Sequence, residues 1–149
     1  MATTKSFSDL EQSKKLAEIL SLESADMYYQ YVLPKSDKIK HNPEIGNPIN
    51  ALKWYNKGYT VSRKEPITLD EYCVPCWSLA SLLGVLPNNK HISTTLSRGG
   101  WKIEPIEYVD NWWCEYEDEI HTKNFSTSAD NPVDACVAMI EKLHELKML

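Results

Sequence analysis

No apolar run in this chain is long enough to cross a bilayer: the longest, Leu79 to Leu86, is interrupted by Ser81. The opening Met1 to Asp9 has no apolar core of the kind an export signal carries, so the sequence predicts a cytoplasmic protein. No segment repeats at a fixed period and none is of low complexity, which excludes solenoids, arrays and disordered linkers. There is no glycine-rich phosphate loop, no G-x-G-x-x-G, no G-x-S-x-G elbow and no H-E-x-x-H. Nucleotide-dependent enzymes and the common hydrolases therefore have nothing here to stand on. The four histidines, His41, His91, His121 and His144, are scattered and form no ligand or acid–base set.

What is present is the composition of one soluble globular domain: 149 residues, 42% hydrophobic and 25% charged. Phenylalanine occurs twice against eight tyrosines and five tryptophans, so the aromatic class is biased toward rings with a polar tip. The formal charge is −5, which argues against a general binder of polyanions. Its distribution is uneven. Lys35, Lys38, Lys40, Lys53, Lys57, Arg63 and Lys64 crowd one segment against Asp37 and Glu44. Glu104, Glu107, Asp110, Glu115, Glu117, Asp118 and Glu119 crowd another that holds no base. A solvated strand face accounts for the acidic run, and a cationic partner is the alternative. Four cysteines suit a reducing cytoplasm and imply no disulfide framework.

Ser8-Asp9-Leu10-Glu11 has the form of a capping box and predicts a helix from about Asp9 to Leu20, with Leu10, Leu16, Ala17, Ile19 and Leu20 on its inner stripe. Met27 to Leu33 reads as a strand, and Pro34, Pro43, Gly46 and Pro48 then break the chain into a loop. Asn47-Pro48 starts a short helix over Ile49 to Lys57, stopped by Gly58. Thr68-Leu69-Asp70-Glu71 is a second capping box, and Pro75 predicts a fresh helix to about Val85. From His91 the period becomes two. Ile92, Thr94 and Leu96 alternate with polar residues, Gly99-Gly100 suits a tight hairpin, and Trp101-Lys102-Ile103 begins the return. Asp110-Asn111 predicts a turn into Trp112 to Glu117, with Trp112, Cys114 and Tyr116 on one face and Trp113, Glu115 and Glu117 on the other. Asp118-Glu119 turns again into Ile120 to Ser128. Asp130-Asn131-Pro132 caps a last helix to about Leu146, with Val133, Cys136, Val137, Ile140 and Leu143 at helical spacing. The sum is a single α+β domain over 1–149: helices in the N-terminal half, then an antiparallel β-meander of three to four strands packed by a C-terminal helix, with the earlier strand joining the sheet edge.

Three constellations could carry chemistry. Cys73-Val74-Pro75-Cys76 at a helix start would place thiols where the dipole favours thiolate, as in thiol redox proteins. The preceding Ile67 to Tyr72 is a capped turn and not the buried strand that precedes a thioredoxin motif, and packing as small apolar residues is the plainer account. Zinc needs four donors, and Cys73, Cys76, Cys114 and His121 are the economical set, without a second paired knuckle. Lys53-Trp54-Tyr55-Asn56-Lys57-Gly58-Tyr59, with Arg63 and Lys64 beyond, interleaves cations and rings as single-strand nucleic-acid grooves do, through Lys53, Trp54, Lys57 and Tyr59. Glu115, Glu117 and Glu119 could pair for acid–base work, but an exposed row lacks the desolvation that shifts a pKa.

Glu23 to Tyr29, Ala51 to Thr60, Cys73 to Leu83 and Ser128 to Cys136 resemble segments of small uncharacterised prophage-encoded proteins of gut Bacteroides-type bacteria. The likeness spans most of the chain, implies a phage accessory role and carries over no catalytic residue. The function expected from the sequence is therefore non-catalytic: an accessory protein that binds a protein partner, a second copy of itself included, through Trp113, Glu115 and Glu117. No cofactor, metal or membrane is called for. Redox chemistry at Cys73 and Cys76, and single-strand binding by segment 53–64, are the alternatives.

Overall fold

A computed structural model describes residues 5–32, 40–59, 73–103, 107–120 and 122–149; at 31–32, 40–42, 54–59, 100–103 and 107–110 it describes backbone alone. Among the described residues the architecture is α+β, with four helices and two three-stranded antiparallel sheets. The chain divides into two compact units, one of residues 9–81 and one of residues 82–149 together with its N-terminal arm.

In the first unit α1 (Leu10–Ile19) starts one residue later than the sequence predicts. Asp9, not Ser8, is the cap. Its carboxylate accepts from the Gln12 amide at 2.8 Å while the Gln12 side chain accepts from the Asp9 amide at 3.1 Å, so two orphan donors are satisfied reciprocally. Of the expected stripe, Leu16 is buried, with Ser13 beside it, and the others are half-covered. A single 3-10 turn (Leu22–Ser24) leads to β1 (Met27–Val32), which lies between β2 (Lys40–Ile45) and β3 (Cys73–Cys76) in the order β2-β1-β3. The predicted strand is thus present but central to a sheet of its own, not an edge of the later meander. The predicted loop before Pro48 contains β2, with Pro43 opposite Tyr29. An edge strand can hold a proline because one side of its ladder has no partner to lose. Gly46, at φ 139°, ends it in a conformation that a side chain would resist.

Asn47 opens α2 (Pro48–Tyr59) as the sequence predicts: its side chain accepts from the Ile49 amide at 3.0 Å and donates to the Leu22 and Ala25 carbonyls, each at 3.1 Å. The helix runs past Gly58. Around β3 the prediction fails. Pro75 stands in a strand, because the proline ring drives Val74, itself β-branched, out of the helical region. The helix α3 (Leu79–Val85) begins later, where Ser78 can cap it: the Ser78 hydroxyl oxygen accepts from the Ser81 amide at 3.2 Å. The capping box at Thr68 to Glu71 lies outside the described residues.

The second unit is a meander, β4 (Ile92–Ile103), β5 (Glu107–Asp118) and β6 (Asn124–Ala129), packed by α4 (Pro132–Glu145). Gly99-Gly100 does not turn. Gly99 is opposite Asn111 and Gly100 opposite Asp110, so the two glycines and the predicted turn at Asp110-Asn111 all lie inside the ladder. Glycine permits a turn without requiring one, and the ladder continues because both flanks are strand-formers. The next turn, at Glu119 and Ile120, falls one residue later than the sequence predicts, and β6 begins at Asn124 rather than Ile120. Asn131 caps α4, accepting from the Asp134 amide at 2.9 Å, with Pro132 in the first turn. All five predicted stripe residues of α4 are buried, joined by Ala135 and Met139. Each fully covered aliphatic side chain is worth about 1.5–3 kcal/mol relative to exposure, so this stripe is the main attachment of helix to sheet.

Candidate functional site

Strict pairing in the meander sorts its side chains onto two faces. Toward α4 lie the rows Leu96–Cys114–Thr127 and Thr94–Tyr116–Phe125. Tyr116 and Phe125 stack with ring centroids 4.8 Å apart, and Lys142 of α4 holds its ammonium 5.0 Å over the Phe125 ring. Thr127 donates to the Ala135 carbonyl at 2.8 Å. Cys114 and Tyr116 of β5 are therefore core and Trp112 is half-covered, on the face their alternation predicts.

The other face carries Trp113, Glu115 and Glu117 in rows with small polar side chains: Ser97–Trp113–Ser128, Thr95–Glu115–Ser126 and Ser93–Glu117–Asn124. Glu115 and the flanking Ser and Thr side chains are exposed, while Trp113 and Glu117 are half-covered. The Trp113 ring lies across Gly99, 3.9 Å from where a β-carbon would stand, so the glycine gives the indole a flat seat. The three residues singled out in the sequence are thus brought onto one open surface on the central strand. No position that the described residues contribute to these rows is Lys or Arg.

One end of the meander is fixed by short-range polar contacts. The Glu119 amide donates to the His91 carbonyl at 2.7 Å and their exposed side chains are hydrogen-bonded through the His91 Nδ1 and a Glu119 carboxylate oxygen. The Asp118 carboxylate accepts from the Thr122 hydroxyl at 2.6 Å and the Lys123 amide at 3.1 Å, bonds that lower its pKa. These contacts shape the turn and contribute little stability individually, being solvated.

The thiols are arranged otherwise than Cys73-Val-Pro-Cys76 suggests. Both cysteines are buried on a strand, not at a helix start. Three residues apart at about 3.3 Å each, they project to opposite faces with α-carbons roughly 10 Å apart, beyond the span of a disulfide. Burial pushes the Cys73 thiol up to about 11, the reverse of an activated thiolate. Cys76 is hydrogen-bonded to Tyr29, whose phenol burial also pushes up. No group of three or more His, Cys, Asp or Glu suited to a metal occurs among the described residues, and His121 of the zinc set lies outside them. Cys114 and Cys136, which the sequence assigns to core positions, are hydrogen-bonded to each other and fully buried. Of the nucleic-acid set, Lys53 is exposed on α2; the side chains of Trp54, Lys57 and Tyr59 lie outside those described. Similarity adds no guide: no family model, curated protein or solved structure matches the chain.

Proposed function

We propose that the chain acts by binding, without catalysis, through the open face of the β4–β5–β6 sheet, and that the occupant is a lysine- or arginine-rich protein segment. The observation that carries this reading is the placement of exposed Glu115 on the central strand, between Trp113 and Glu117, on a face whose described positions include no Lys or Arg. Carboxylates at a flat, wet surface act over about 8–10 Å at physiological salt, steering a cation toward the face. The indole adds apolar area and a ring face for a cation. Serine and threonine rows supply hydroxyls that both donate and accept, so an extended segment can satisfy its polar groups in more than one register. Such a surface favours association by charge and exchanges readily.

Anisotropy of a labelled oligolysine peptide, titrated with the full chain at low ionic strength and again near 0.5 M salt, tests the reading. Binding that weakens with salt, and by about tenfold or more in the Glu115→Lys/Glu117→Lys variant, is expected. Equal affinity in the charge-reversed variant, or no association at low salt, refutes it.

A further inference from the structure

We propose that Cys114 and Cys136 form a peroxide-reactive modification site, in which oxidation closes a disulfide between β5 and α4. The placement follows from the sheet register. Cys114 is opposite Thr127, so the two share the face turned to the helix, and Thr127 donates to the carbonyl of Ala135 at 2.8 Å. That bond fixes the first turns of α4 above this row and puts the next residue, Cys136, over Cys114. The thiols are in hydrogen-bond contact and both are fully buried. The geometry separates this pair from Cys73 and Cys76, whose strand sends them to opposite faces.

The contact also polarises the pair. Cys136 is the acceptor of the thiol–thiol bond, which pulls it down against the opposing effect of burial, while the same bond and burial push Cys114 up. Oxidation at either sulfur ends in the same link, and it can begin at Cys136. Its thiolate attacks one oxygen of hydrogen peroxide: the S–O bond forms, the O–O bond breaks, and the departing hydroxide takes a proton to leave as water, giving the sulfenic acid of Cys136. The Cys114 sulfur attacks the Cys136 sulfur, the S–S bond forms, and the S–O bond breaks, hydroxide leaving as water with the Cys114 proton. In sum two thiols lose two protons and two electrons, and one peroxide is reduced to two waters. Complete burial selects an oxidant the size of water; a peptide disulfide such as oxidised glutathione would need the helix to lift.

The closed loop contains β6 and the turns on either side of it, so the link ties the helix to the central strand. Cross-linking a loop of this length raises Tm by on the order of 5–10 °C, reversibly with dithiothreitol.

The test uses the full chain in native buffer with dilute hydrogen peroxide, followed by alkylation of remaining thiols in denaturant and unreduced tryptic mapping. Cleavage after Lys102, Lys123 and Lys142 leaves Cys114 and Cys136 alone in separate peptides, while Cys73 and Cys76 fall together in a third. Expected is a joined pair of the first two peptides, lighter by about 2 Da than their sum, with Cys73 and Cys76 recovered alkylated. The Cys114→Ala variant should trap the sulfenic acid on Cys136, read as a dimedone adduct. Recovery of Cys114 and Cys136 as free thiols after peroxide, sulfinic acid on either without the joined peptide, or a link to Cys73 or Cys76 overturns the proposal. The mapping of the unaltered chain decides even if the variant does not fold.

Discussion

The docking of α4 on the meander is the contact on which both the open face and the thiol pair depend, and Ile140 measures it. Its side chain is fully buried on the inner stripe of the helix. Ile140→Ala removes three carbons, worth about 2.4 kcal/mol at roughly 0.8 kcal/mol per buried methylene. An unfilled cavity adds about a further 1 kcal/mol, and the better helix propensity of alanine returns about 0.4 kcal/mol. The net expectation is a loss near 3 kcal/mol, a fall in Tm of roughly 6–12 °C for a chain of this size. Urea unfolding followed by circular dichroism should show the midpoint drop with the slope unchanged. Glu115→Lys, on the opposite face of the same sheet, should stay within about 0.5 kcal/mol of the parent. An Ile140→Ala loss below about 1 kcal/mol, or equal effects of the two substitutions, would mean that α4 does not cover the sheet and that the face assigned to binding is the wrong one.

Two further predictions concern local structure. The Asp26 carboxylate accepts from the Ser78 amide at 2.9 Å and from the Ser78 hydroxyl; burial opposes ionisation but these bonds prevail, and its pKa lies below the ordinary 3.8. A depressed carboxylate contributes stability that is present above the unfolded value and lost as pH falls through the folded one. Asp26→Asn should therefore cost about 1 kcal/mol at neutral pH, with the difference from the parent shrinking below pH 3.8; a pH-independent difference in thermal melts would contradict this. Gly84 lies inside α3 with nothing within 4 Å of an added β-carbon, so Gly84→Ala should raise stability by about 0.5–1 kcal/mol in urea titration, and any loss would count against the helix there.

What could be read from the sequence was periodicity with a strong local partner. The alternation Trp112 to Glu117 placed both faces of β5 correctly because a period of two has no competing explanation there. The last helix was legible from its Asn-Pro start and its stripe, whose every member is buried. The failures occur where a residue allows two conformations and tertiary pairing chooses. Gly99-Gly100 could turn, yet twelve paired positions between β4 and β5 outweigh a hairpin at that point. Pro75 could begin a helix, yet pairing with β1 and the Ser78 cap move the start to Leu79. Pro43 hid β2 because local propensity does not reveal which strands are edges. Cys114 and Cys136 were each placed on the correct inward face, but their meeting depends on how far α4 slides along the sheet, which no spacing in either segment encodes.

Lys5 donates to Asp134 at 2.7 Å, and residues 5–8 belong with 82–149 rather than with the unit that follows them in the chain. The bond joins positions 129 apart in sequence. Synthesis therefore delivers the two units unequally: residues 9–81 are contiguous and can collapse as soon as they emerge, whereas the arm must wait for the helix at the far end before its partner exists. Closing so long a loop is entropically costly and slow relative to local pairing, so the arm docks last. Until then the Asp134 carboxylate has its bond from the Asn131 side chain but not the one from Lys5, and a nascent chain paused before α4 would expose the inner face of the meander to whatever it meets.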